Sequence, residues 1–541
     1  MTPNGNSEQP EEHSEASGFY VQDLDFRSGV VNAQAPGRMA LAAAQGGYRP
    51  PLPKGAFTYC DLGCGDGTTV NALASVNPEA TFIGVDFNPG HIQKGRAEAE
   101  AAGLTNVRFV EAALEDLDEH DLPDCDFIGM NGTYAWLEEP VARAVRLFLA
   151  YKLKPGGLFY VEYTSLPGKV SVAPLWQLIQ DLVPPREDQS SRRRAQEGLA
   201  VTQKLAERGM RYLDVHRPAN NGADSYIQGV KWDAYQVDHF AHNAMASGFR
   251  PRYFTEMYDE LAEVGLLFAG RIQIALNYLD TSVPPEQVPT FEELLPAEDA
   301  RRRELLKDYI RNEQQRQDVF ACRPETDAAG AEAFLDHEFR LLARGPAQGI
   351  NRYITTSGGA RIPLEGPAFD ALIRAANRQA VTPAEIAESE GIEPARVRNA
   401  ALRLFATNQF FLCLEPSREA PEGHQNLPAV AIPNPINRHL ITQAAERLTQ
   451  NQLLSPVTRG PAIPLTAVEA VLLRGTLETG SFQEALDYAL ETLKDQERPV
   501  RSGRGLIPAK RVKLGDLQRI LQMLRARKLL NMFRLGIAES V

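Results

Sequence analysis

The sequence predicts an α/β protein in which a Rossmann-like, mostly parallel sheet carries a helical insertion and is followed by small winged-helix-like α(+β) modules. Three observations lead to this fold class. Short apolar runs alternate with helical stretches in the first third of the chain, a glycine-rich turn follows the first run, and short capped helices fill the last third. With 541 residues, the chain is also too long for one hydrophobic core and should form several domains.

The composition is that of a soluble globular protein. Hydrophobic residues make up 43% and charged residues 23% of the chain, and the formal net charge of -13 disfavours non-specific binding to nucleic acid. The five cysteines include no Cys-x-x-Cys pair, so we expect neither disulfides nor a metal site. Residues 1–17 do not resemble a signal peptide, and the apolar stretch Leu261–Leu279 is interrupted by Glu263 and Arg271. We therefore expect a cytoplasmic protein without nucleic-acid partners or membrane insertion.

A glycine-rich turn joins the first predicted strand, Phe57–Leu62, to a helix predicted over Thr68–Val76. This arrangement brings backbone N–H groups close to a ligand. A dinucleotide fingerprint, G-x-G-x-x-G, would require glycine where Thr68 stands, whereas D-x-G-x-G-x-G is typical of class I methyltransferases. The motif therefore predicts four cofactor-binding residues, Asp61, Gly63, Gly65 and Gly67.

The second predicted strand, Thr81–Asp86, ends in an acid 19 residues after Gly67. A carboxylate in this place accepts the ribose hydroxyls of nucleotide cofactors, which here would be those of an adenosyl group. The alternative, that Asp86 caps the next helix, is weaker because Asn88-Pro89 already supplies a cap and a first-turn proline. We therefore predict that Asp86 binds the ribose.

The third predicted strand, Val107–Glu111, is followed by Ala113 and Leu114. In many proteins of this fold an acid near this place contacts the adenine. Since neither residue can supply a carboxylate, we predict that Ala113 and Leu114 offer the adenine backbone groups and an apolar wall.

Polar side chains follow the next two predicted strands, Cys125–Met130 and Leu158–Tyr163, the second preceded by an L-K-P-G-G turn. Because parallel strands end at one edge of a sheet, Asn131, Tyr134 and Tyr163 should line the acceptor pocket as catalytic residues, and Asn131 should also reach the cofactor. Asn131-x-x-Tyr134 has the spacing of the D/N-x-x-Y/F tetrad of amino-methylating enzymes, without its two prolines. The alternative is that Tyr134 and Trp136 only pack a domain interface.

With these motifs in place, the sequence resembles bacterial methyltransferases that carry a methyltransferase regulatory domain, among them outer-membrane-protein lysine methyltransferases. The resemblance covers roughly residues 18–345 and implies S-adenosylmethionine as the cofactor and protein lysine as the acceptor. Its segments are D-F-N-P at 86–89, L-P-x-x-D-F-I at 122–128, L-K-P-G-G at 153–157, Y-T-S-L-P-G at 163–168 and R-N-E-Q-Q-R-Q-D-V-F at 311–320.

Three positions depart from the family pattern. Asn131 stands where the family tends to have histidine, Lys169 where it tends to have tryptophan, and Asp238-His239 where it tends to have a His-Glu pair. These positions bear on the acceptor and not on the cofactor. The resemblance therefore implies the cofactor more firmly than the substrate.

After strand five, Ser171–Met245 should form a helical insertion, in which the arginine-bearing stretch Arg186–Lys204 is a solvated helix face or, alternatively, a docking surface for an acidic partner. Phe254–Val264 should be a helix that returns to the sheet. Leu266–Ile274 and Val319–Arg323 are the expected strands six and seven.

Two small modules are predicted beyond residue 345, and residues 366–415 carry five basic and six acidic side chains. Without a basic excess, they should contact protein and not DNA. Their predicted features are capping boxes at 382–385, 466–469 and 481–484, a helix at 394–407 before a strand at 410–414, an exposed basic hairpin at 501–513, and a helix at 516–528 before a strand at 529–533.

The predicted division of the chain follows from these boundaries, and the C-terminal modules are expected to fold independently. We therefore divide the chain into a disordered tail (1–17), the S-adenosylmethionine-binding methyltransferase core with strands one to five (18–170), the helical insertion (171–249), the return to the core with strands six and seven (250–345), a winged-helix-like module (346–425) and a second small helical or winged-helix-like module (426–541).

Three classes of function are compatible with the sequence. The first is N-methylation of protein lysine side chains by direct displacement from S-adenosylmethionine. The second is methylation of a small metabolite or biosynthetic intermediate, and the third is a non-catalytic regulator that retains the cofactor fold. The intact glycine loop and Asp86 disfavour the third class.

Overall fold

The protein is described from a computed structural model covering residues 21, 24, 29–186, 188–212, 234–246, 248–324, 327–356, 359–494, 496–502 and 505–541. The chain divides into two compact units. The smaller spans Met1–Phe26, Ala135–Glu139 and Lys169–Pro251, and the larger spans Arg27–Tyr134, Pro140–Gly168 and Arg252–Val541. The predicted tail, 1–17, lies outside the described residues.

A seven-stranded sheet with the order β3-β2-β1-β4-β5-β7-β6 lies within the larger unit. Its strands are β1 (Thr58–Leu62), β2 (Thr81–Asp86), β3 (Val107–Glu111), β4 (Cys125–Asn131), β5 (Leu153–Thr164), β6 (Leu266–Arg271) and β7 (Gln315–Cys322). β1 to β5 pair in parallel, whereas β7 is antiparallel to both β5 and β6. The predicted Rossmann-like methyltransferase sheet is therefore confirmed.

The start of β5 differs from the prediction. The L-K-P-G-G segment was expected to be a turn before Leu158, but it lies inside the strand, and Leu153 already pairs with Cys125. The register then shifts, so that Phe127 pairs with Leu158. Gly156 has a φ of 77°, and the extra residues are accommodated as an irregularity in the ladder.

Four helices accompany the first five strands: α1 (Pro36–Gln45), α2 (Thr68–Ala74), α3 (Pro89–Ala101) and α4 (Glu139–Lys152). α3 begins as the sequence predicts, because the Asn88 side chain accepts hydrogen bonds from the N–H groups of Gly90 and His91, and Pro89 occupies the first turn. This cap leaves the Asp86 carboxylate available for other contacts.

The smaller unit is helical in its described part, with α5 (Ala173–Leu182), α6 (Ser191–Glu207) and α7 (Ala234–Ala244). Positions 213–233 of the predicted insertion lie outside the described residues. Arg192 on α6 makes a two-pronged ion pair with Asp238 on α7, at 2.7 and 2.8 Å. This arginine is exposed, as the sequence predicted, and it also joins two helices. Trp136, Trp176 and Phe249 pack together in the same unit.

The chain returns to the sheet through α8 (Phe254–Ala262), which leads into β6. Three helices, α9 (Leu279–Ser282), α10 (Val288–Leu294) and α11 (Ala300–Arg311), connect β6 to β7, and α12 (Ala328–His337) follows. The predicted strands six and seven are thus present. β7 begins at Gln315, four residues before the predicted start, because it pairs with β5 from Ala321↔Leu158 to Gln315↔Thr164.

The first C-terminal module contains α13 (Pro367–Ala376), α14 (Pro383–Glu390) and α15 (Pro394–Ala406). The capping box predicted from Thr382 to Glu385 is confirmed, and Gly391 ends α14 in the left-handed conformation. Small two-stranded sheets are formed by β8 (Arg340–Ala343) with β11 (Phe410–Cys413) and by β9 (Tyr353–Thr355) with β10 (Arg361–Pro363). Since β8 pairs with β11, the module draws on residues before position 346.

The second module contains the helices α16 (Pro435–Arg447), α17 (Ala467–Thr479), α18 (Glu484–Leu493), α19 (Leu514–Met523) and α20 (Leu529–Arg534). Its strands are β12 (Val430–Ala431), β13 (Asn451–Ser455), β14 (Gly460–Leu465), β15 (Pro499–Ser502), β16 (Gly505–Pro508) and β17 (Glu539–Ser540). The predicted capping box at Thr466 is confirmed. Antiparallel β15 and β16 form a hairpin, but it ends at Pro508 and not at residue 513, since Ala509–Arg511 form a 3-10 helix.

Two predictions for this module need correction. Leu529–Phe533 was expected to be a strand but lies in α20, since Leu529, Met532 and Phe533 are buried at helical spacing. Ser481 does accept from the Glu484 N–H at 3.4 Å, but α18 has a helical residue, Gln483, at its N-cap without a side-chain cap bond. The predicted box at 481–484 is therefore not formed in full.

Both modules pack against helices of the sheet within the larger unit. In the first, the Arg38 guanidinium of α1 lies 5.5 Å from the centroid of the Phe405 ring. In the second, α16 buries Ile436 and Leu440 in one cluster with Ala72 and Val76, which lie in and just after α2. The helix that follows the glycine loop is therefore covered by the C-terminal module.

Candidate functional site

The glycine loop between β1 and α2 exposes backbone at one open position. The N–H groups of Gly63 and Cys64 donate to the Val85 carbonyl at 2.8 and 2.9 Å, which ties the loop to β2. Gly65 has a φ of +57°, and a Cβ placed there would meet nothing within 4 Å. At Gly67, with a φ of +75°, a Cβ would lie 2.5 Å from the Phe109 ring. The loop thus needs glycine for its conformation and leaves an open face at Gly65.

Asp86 lies at the end of β2, beside this loop. Its Oδ2 accepts a hydrogen bond from the Gly65 N–H at 2.9 Å, and its Oδ1 accepts one from the Asn88 N–H at 2.9 Å. His91 Nδ1 lies 3.2 Å from the same Oδ1. A carboxylate offers about four lone-pair sites, so Asp86 fixes the loop and retains room for a hydroxyl donor.

Asp61, at the end of β1, is buried behind the loop. Its Oδ1 accepts a hydrogen bond from Gln34 Nε2 at 2.8 Å. Burial raises the pKa of Asp61 to about 7; the negative charge of Asp86 also raises it, whereas the hydrogen bond from Gln34 lowers it. A cationic ligand at this edge of the sheet would favour the ionised form.

Ala113 and Leu114 follow β3 next to Asp86. Ala113 has an extended backbone, and Leu114 begins a short 3-10 helix that ends at Glu119. The preceding residue, Ala112, donates its N–H to the Asp86 carbonyl at 3.1 Å. The structure therefore brings Ala113 and Leu114 to the same sheet edge as Asp86 and the glycine loop.

Asn131 is the last residue of β4 and lies in register with Glu162 of β5. Its Oδ1 accepts a hydrogen bond from the Tyr160 hydroxyl at 2.9 Å. Glu162 is only 4% exposed, and Gln315 Nε2 donates to its Oε1. The sequence analysis did not single out Glu162, although a charged residue within the apolar run L-F-Y-V-E-Y indicates a buried carboxylate that needs polar partners.

The hydroxyls of Tyr134 and Tyr163 both belong to buried polar networks. Tyr134 Oη lies 3.1 Å from Glu260 Oε2 and receives a hydrogen bond from Arg146 Nη1 at 3.2 Å. Burial raises the pKa of Tyr134 to about 12, and the charge of Glu260 adds to this. Tyr163 Oη donates to Asp318 Oδ2 at 2.8 Å. Both side chains are fully buried, and their hydroxyls are engaged by other residues than Asn131.

The Tyr163 hydroxyl leads into a cluster of buried ion pairs that the sequence did not indicate. Arg316 on β7 donates to Asp318, to Asp308 at 2.6 Å and to Glu304 at 3.0 Å. Arg316, Asp308 and Asp318 have no exposed surface. Buried ion pairs of this kind fix geometry more than they add stability, so this cluster holds α11 against the end of β7.

Two properties of the described residues complete the description of the site. Within the described ranges, no group of three or more His, Cys, Asp or Glu side chains is arranged to hold a metal ion. In the same part of the chain, no helix is both long and apolar enough to cross a membrane.

Comparison with known proteins assigns two regions of the chain to families. Residues 53–196 match the model of a methyltransferase domain. Residues 237–322 match the model described as a predicted methyltransferase regulatory domain. The second match begins within α7 of the smaller unit and extends through β6 and β7 of the sheet.

Several known proteins are similar to the chain. An uncharacterized Synechocystis protein, sll1526, is 29% identical over 301 residues, which are 56% of this chain and 58% of that protein. Trans-aconitate 2-methyltransferase of Methylobacterium nodulans is 33% identical over 102 residues, 19% of this chain and 36% of that enzyme. The chain spans about half the length of the first curated relatives it matches.

Among solved structures, PKMT2 from Rickettsia typhi in complex with AdoHcy is similar over 95% of this chain and 99% of that chain, with a TM-score of 0.63 and 15% identity. At this identity the likeness shows the fold alone. The two family matches and the glycine loop show that the chain contains a class I, S-adenosylmethionine-dependent methyltransferase domain followed by a methyltransferase regulatory domain.

Proposed function

We propose that this S-adenosylmethionine-dependent methyltransferase methylates lysine side chains of a protein substrate. The observation that carries the proposal is the extent of the likeness to PKMT2, a protein lysine methyltransferase, which covers 95% of this chain. It therefore includes the helical insertion and both C-terminal modules as well as the cofactor domain. A small-metabolite enzyme needs the cofactor domain and a lid, whereas additional modules can bind a macromolecule.

The residues at the sheet edge fit the cofactor in our proposal. The open backbone face at Gly65, flanked by Gly63 and Gly67, would hold its amino-acid part. Asp86 would accept a ribose hydroxyl, with the Asp61 carboxylate behind the loop. Ala113 and Leu114 would border the adenine. When bound, S-adenosylmethionine supplies an electrophilic methyl group on a sulfonium, so the protein mainly has to align an acceptor and exclude water.

A lysine acceptor adds a demand for deprotonation. Its amine has a reference pKa near 10.4, so deprotonating it at pH 7 requires a free energy of roughly 4–5 kcal/mol. In our proposal Asn131 orients the amine through Oδ1. Tyr134 and Tyr163 shape the pocket, since their hydroxyls tie Glu260 and Asp318 to the ends of β4 and β5.

Variants of two of these residues test the acceptor pocket. Asn131→Ala and Tyr134→Phe should lower turnover by at least tenfold and leave the affinity for S-adenosylhomocysteine within about threefold, because neither residue anchors the glycine loop. Turnover would be followed by methyl transfer, and affinity by calorimetry. Tyr151→Phe, at a tyrosine that is 77% exposed on α4, is the matched control. Normal turnover in both pocket variants would show that these two residues contribute only to packing.

A second candidate function, methylation of a small carboxylic acid, is favoured by the likeness of 102 residues to trans-aconitate 2-methyltransferase. Incubation of the full chain with methyl-labelled S-adenosylmethionine and a cell lysate separates the two. Under our proposal, acid-precipitable protein takes up the label, and hydrolysis releases methylated lysine. Label that enters only small molecules would support the second function instead. The Asp86→Ala variant, which we expect to bind the cofactor more weakly, is the control and should incorporate less label at limiting cofactor concentration.

A further inference from the structure

We propose that His91 is a positioning residue of the cofactor site, which orients the Asp86 carboxylate and thereby sets how much the ribose hydroxyls contribute to binding. His91 does not touch the cofactor in this proposal and acts through Asp86. The inference rests on the proposed contact between Asp86 and the ribose. It concerns a residue that lies just outside the D-F-N-P segment at 86–89.

The start of α3 places the His91 side chain against the end of β2. His91 is the third residue of this helix, and its backbone N–H donates to Asn88 Oδ1 at 3.3 Å. The residue is only 6% exposed, and its Nδ1 lies 3.2 Å from Asp86 Oδ1. The cap of α3 therefore fixes the backbone from which the imidazole ring reaches back to the carboxylate.

The hydrogen bonds of the imidazole ring give the second argument. Because a carboxylate oxygen can only accept, Nδ1 has to carry the hydrogen in the contact with Asp86. Nε2 of the neutral ring is then an acceptor, and it is buried without a hydrogen-bond partner in the part of the chain that the structure describes. Leaving a buried acceptor unpaired is unfavourable. Packing alone therefore does not explain a histidine at this position, whereas the bond to Asp86 does.

The two oxygens of the Asp86 carboxylate have different surroundings. Oδ1 accepts from His91 Nδ1 and from the Asn88 N–H at 2.9 Å, which fills both of its lone-pair sites. Oδ2 accepts the Gly65 N–H at 2.9 Å, next to the open face where a Cβ on Gly65 would meet nothing within 4 Å. His91 thus holds Oδ1 toward α3 and leaves Oδ2 on the open side of the loop for the ribose hydroxyls.

The test compares two ligands of the full chain by calorimetry, S-adenosylhomocysteine and an analogue that lacks both ribose hydroxyls. Wild type should bind the analogue at least about tenfold more weakly, because hydrogen bonds to a charged group are lost. His91→Gln should reduce this difference to about threefold or less, since its amide nitrogen replaces Nε2 and the donor to Oδ1 is missing. His91→Asn should retain at least about a fivefold difference, because its amide nitrogen lies in the place of Nδ1.

His439→Gln is the matched control, because His439 on α16 also pairs with a carboxylate, that of Glu98 on α3, at 3.3 Å. It should show the same difference between the two ligands as wild type. If His91→Gln weakens the binding of both ligands by the same factor, His91 has only a structural role and the inference is wrong. A loss of the difference in His91→Asn contradicts it as well.

Wild type itself separates this inference from the proposed ribose contact. If wild type binds the two ligands within about twofold of each other, the contact between Asp86 and the ribose is wrong, and the inference falls with it. Nitrogen NMR of histidine-labelled wild type needs no variant and should show a hydrogen on Nδ1 of His91. A ring without that hydrogen overturns the inference even if the variants do not fold. The lysate labelling experiment tests the acceptor and is independent of these outcomes.

Discussion

Asp86 has a structural role in this protein as well as a proposed ligand-binding one. Its carboxylate accepts hydrogen bonds from the Gly65 and Asn88 N–H groups and lies 3.2 Å from His91 Nδ1. These contacts use about three of its four lone-pair sites. Binding of two ribose hydroxyls would therefore require release of one of the present partners, and the Gly65 N–H at the open face of the loop is the partner that a ligand can replace most directly.

Asp86→Ala should accordingly weaken the binding of S-adenosylmethionine by about ten- to a hundredfold, which corresponds to loss of a charged hydrogen bond worth about 1.5–3 kcal/mol. Isothermal calorimetry measures this directly. Glu111→Ala is the control, because Glu111 pairs with Asp86 in the sheet but is exposed. Equal binding by the Asp86 variant and wild type would show that this carboxylate does not contact the cofactor.

Asp61 gives the protein a pH dependence with a defined sign. Its pKa in the folded protein, about 7, is above the ordinary value of 3.8. The folded state therefore binds this proton more tightly than the unfolded chain, and the associated stability is full below pH 3.8 and is lost as the pH rises through 7. From the shift we expect a loss of roughly 4 kcal/mol across this window.

The measurement compares the free energy of unfolding of wild type and Asp61→Asn between pH 4 and 8. An amide resembles the protonated acid, so the variant should lack this slope, and the difference between the two proteins should grow with pH in favour of the variant. Parallel pH profiles would mean that Asp61 is ionised throughout. Asp126→Asn serves as the reference for a carboxylate whose pair with Lys154 is partly exposed.

Residue-scale prediction from the sequence succeeds where spacing along the chain encodes the geometry. The cap at Asn88 and the strand that ends at Asp86 were predictable because each depends on residues a few positions apart. Glu162 was not, since its hydrogen-bond partner Gln315 lies 153 positions away. Tyr163 was named from the sequence, but its hydrogen bond was not predictable, because its partner Asp318 lies 155 positions away and is brought close only by the antiparallel pairing of β5 and β7.

At the scale of elements, the pattern of apolar residues located all seven strands of the sheet. It could not show whether one short apolar run is a strand or a helix. Leu529–Phe533 has the apolar content of a strand, and five residues are too few to separate a period of two from a period of 3.6. Its packing in the second module makes it helical. Similarly, the sequence alone could not show that β8 pairs with β11, because the partners lie about 70 positions apart.

The helix α2 connects the glycine loop to the second C-terminal module. Its first residue follows Gly67, and Ala72 is buried with Ile436 and Leu440 of α16. Leu440→Ala should lower the free energy of unfolding by about 2–5 kcal/mol, as for other large-to-small changes in a core. Leu514→Ala, at a leucine that is 41% exposed, is the control and should change it by less than about 1 kcal/mol. Denaturant titration checks both, and equal losses would mean that this interface is not a core.

At the scale of the whole molecule, the sequence suggested that the C-terminal modules fold independently. The contacts of the second module instead favour folding together with the cofactor domain. Asn77 Nδ2 donates to the Arg459 carbonyl at 3.1 Å, and Arg459 pairs with Glu79 at 3.1 Å. The Asn434 side chain reaches the Ser75 carbonyl at 3.3 Å. The end of α2 and the turn to β2 are thus held by the second module.

Removal of residues 426–541 should therefore destabilise the cofactor domain itself. We expect a chain that ends at 425 to lose at least tenfold in affinity for S-adenosylhomocysteine and to melt at a lower temperature, measured by calorimetry and circular dichroism. If the truncated chain binds the cofactor as tightly as wild type, the second module folds independently of the cofactor domain. Its role would then concern the substrate alone.

The placement of β7 between β5 and β6 has a consequence for synthesis of the chain. β5 ends at Thr164 and its neighbour β7 begins at Gln315, so the growing polypeptide exposes one edge of β5 until the later strand arrives. At about 5–20 residues per second this interval lasts roughly 8–30 s. During that time the edge is open to wrong pairing, and nascent chains stalled between these two positions should be far more prone to aggregation than chains released after Cys322.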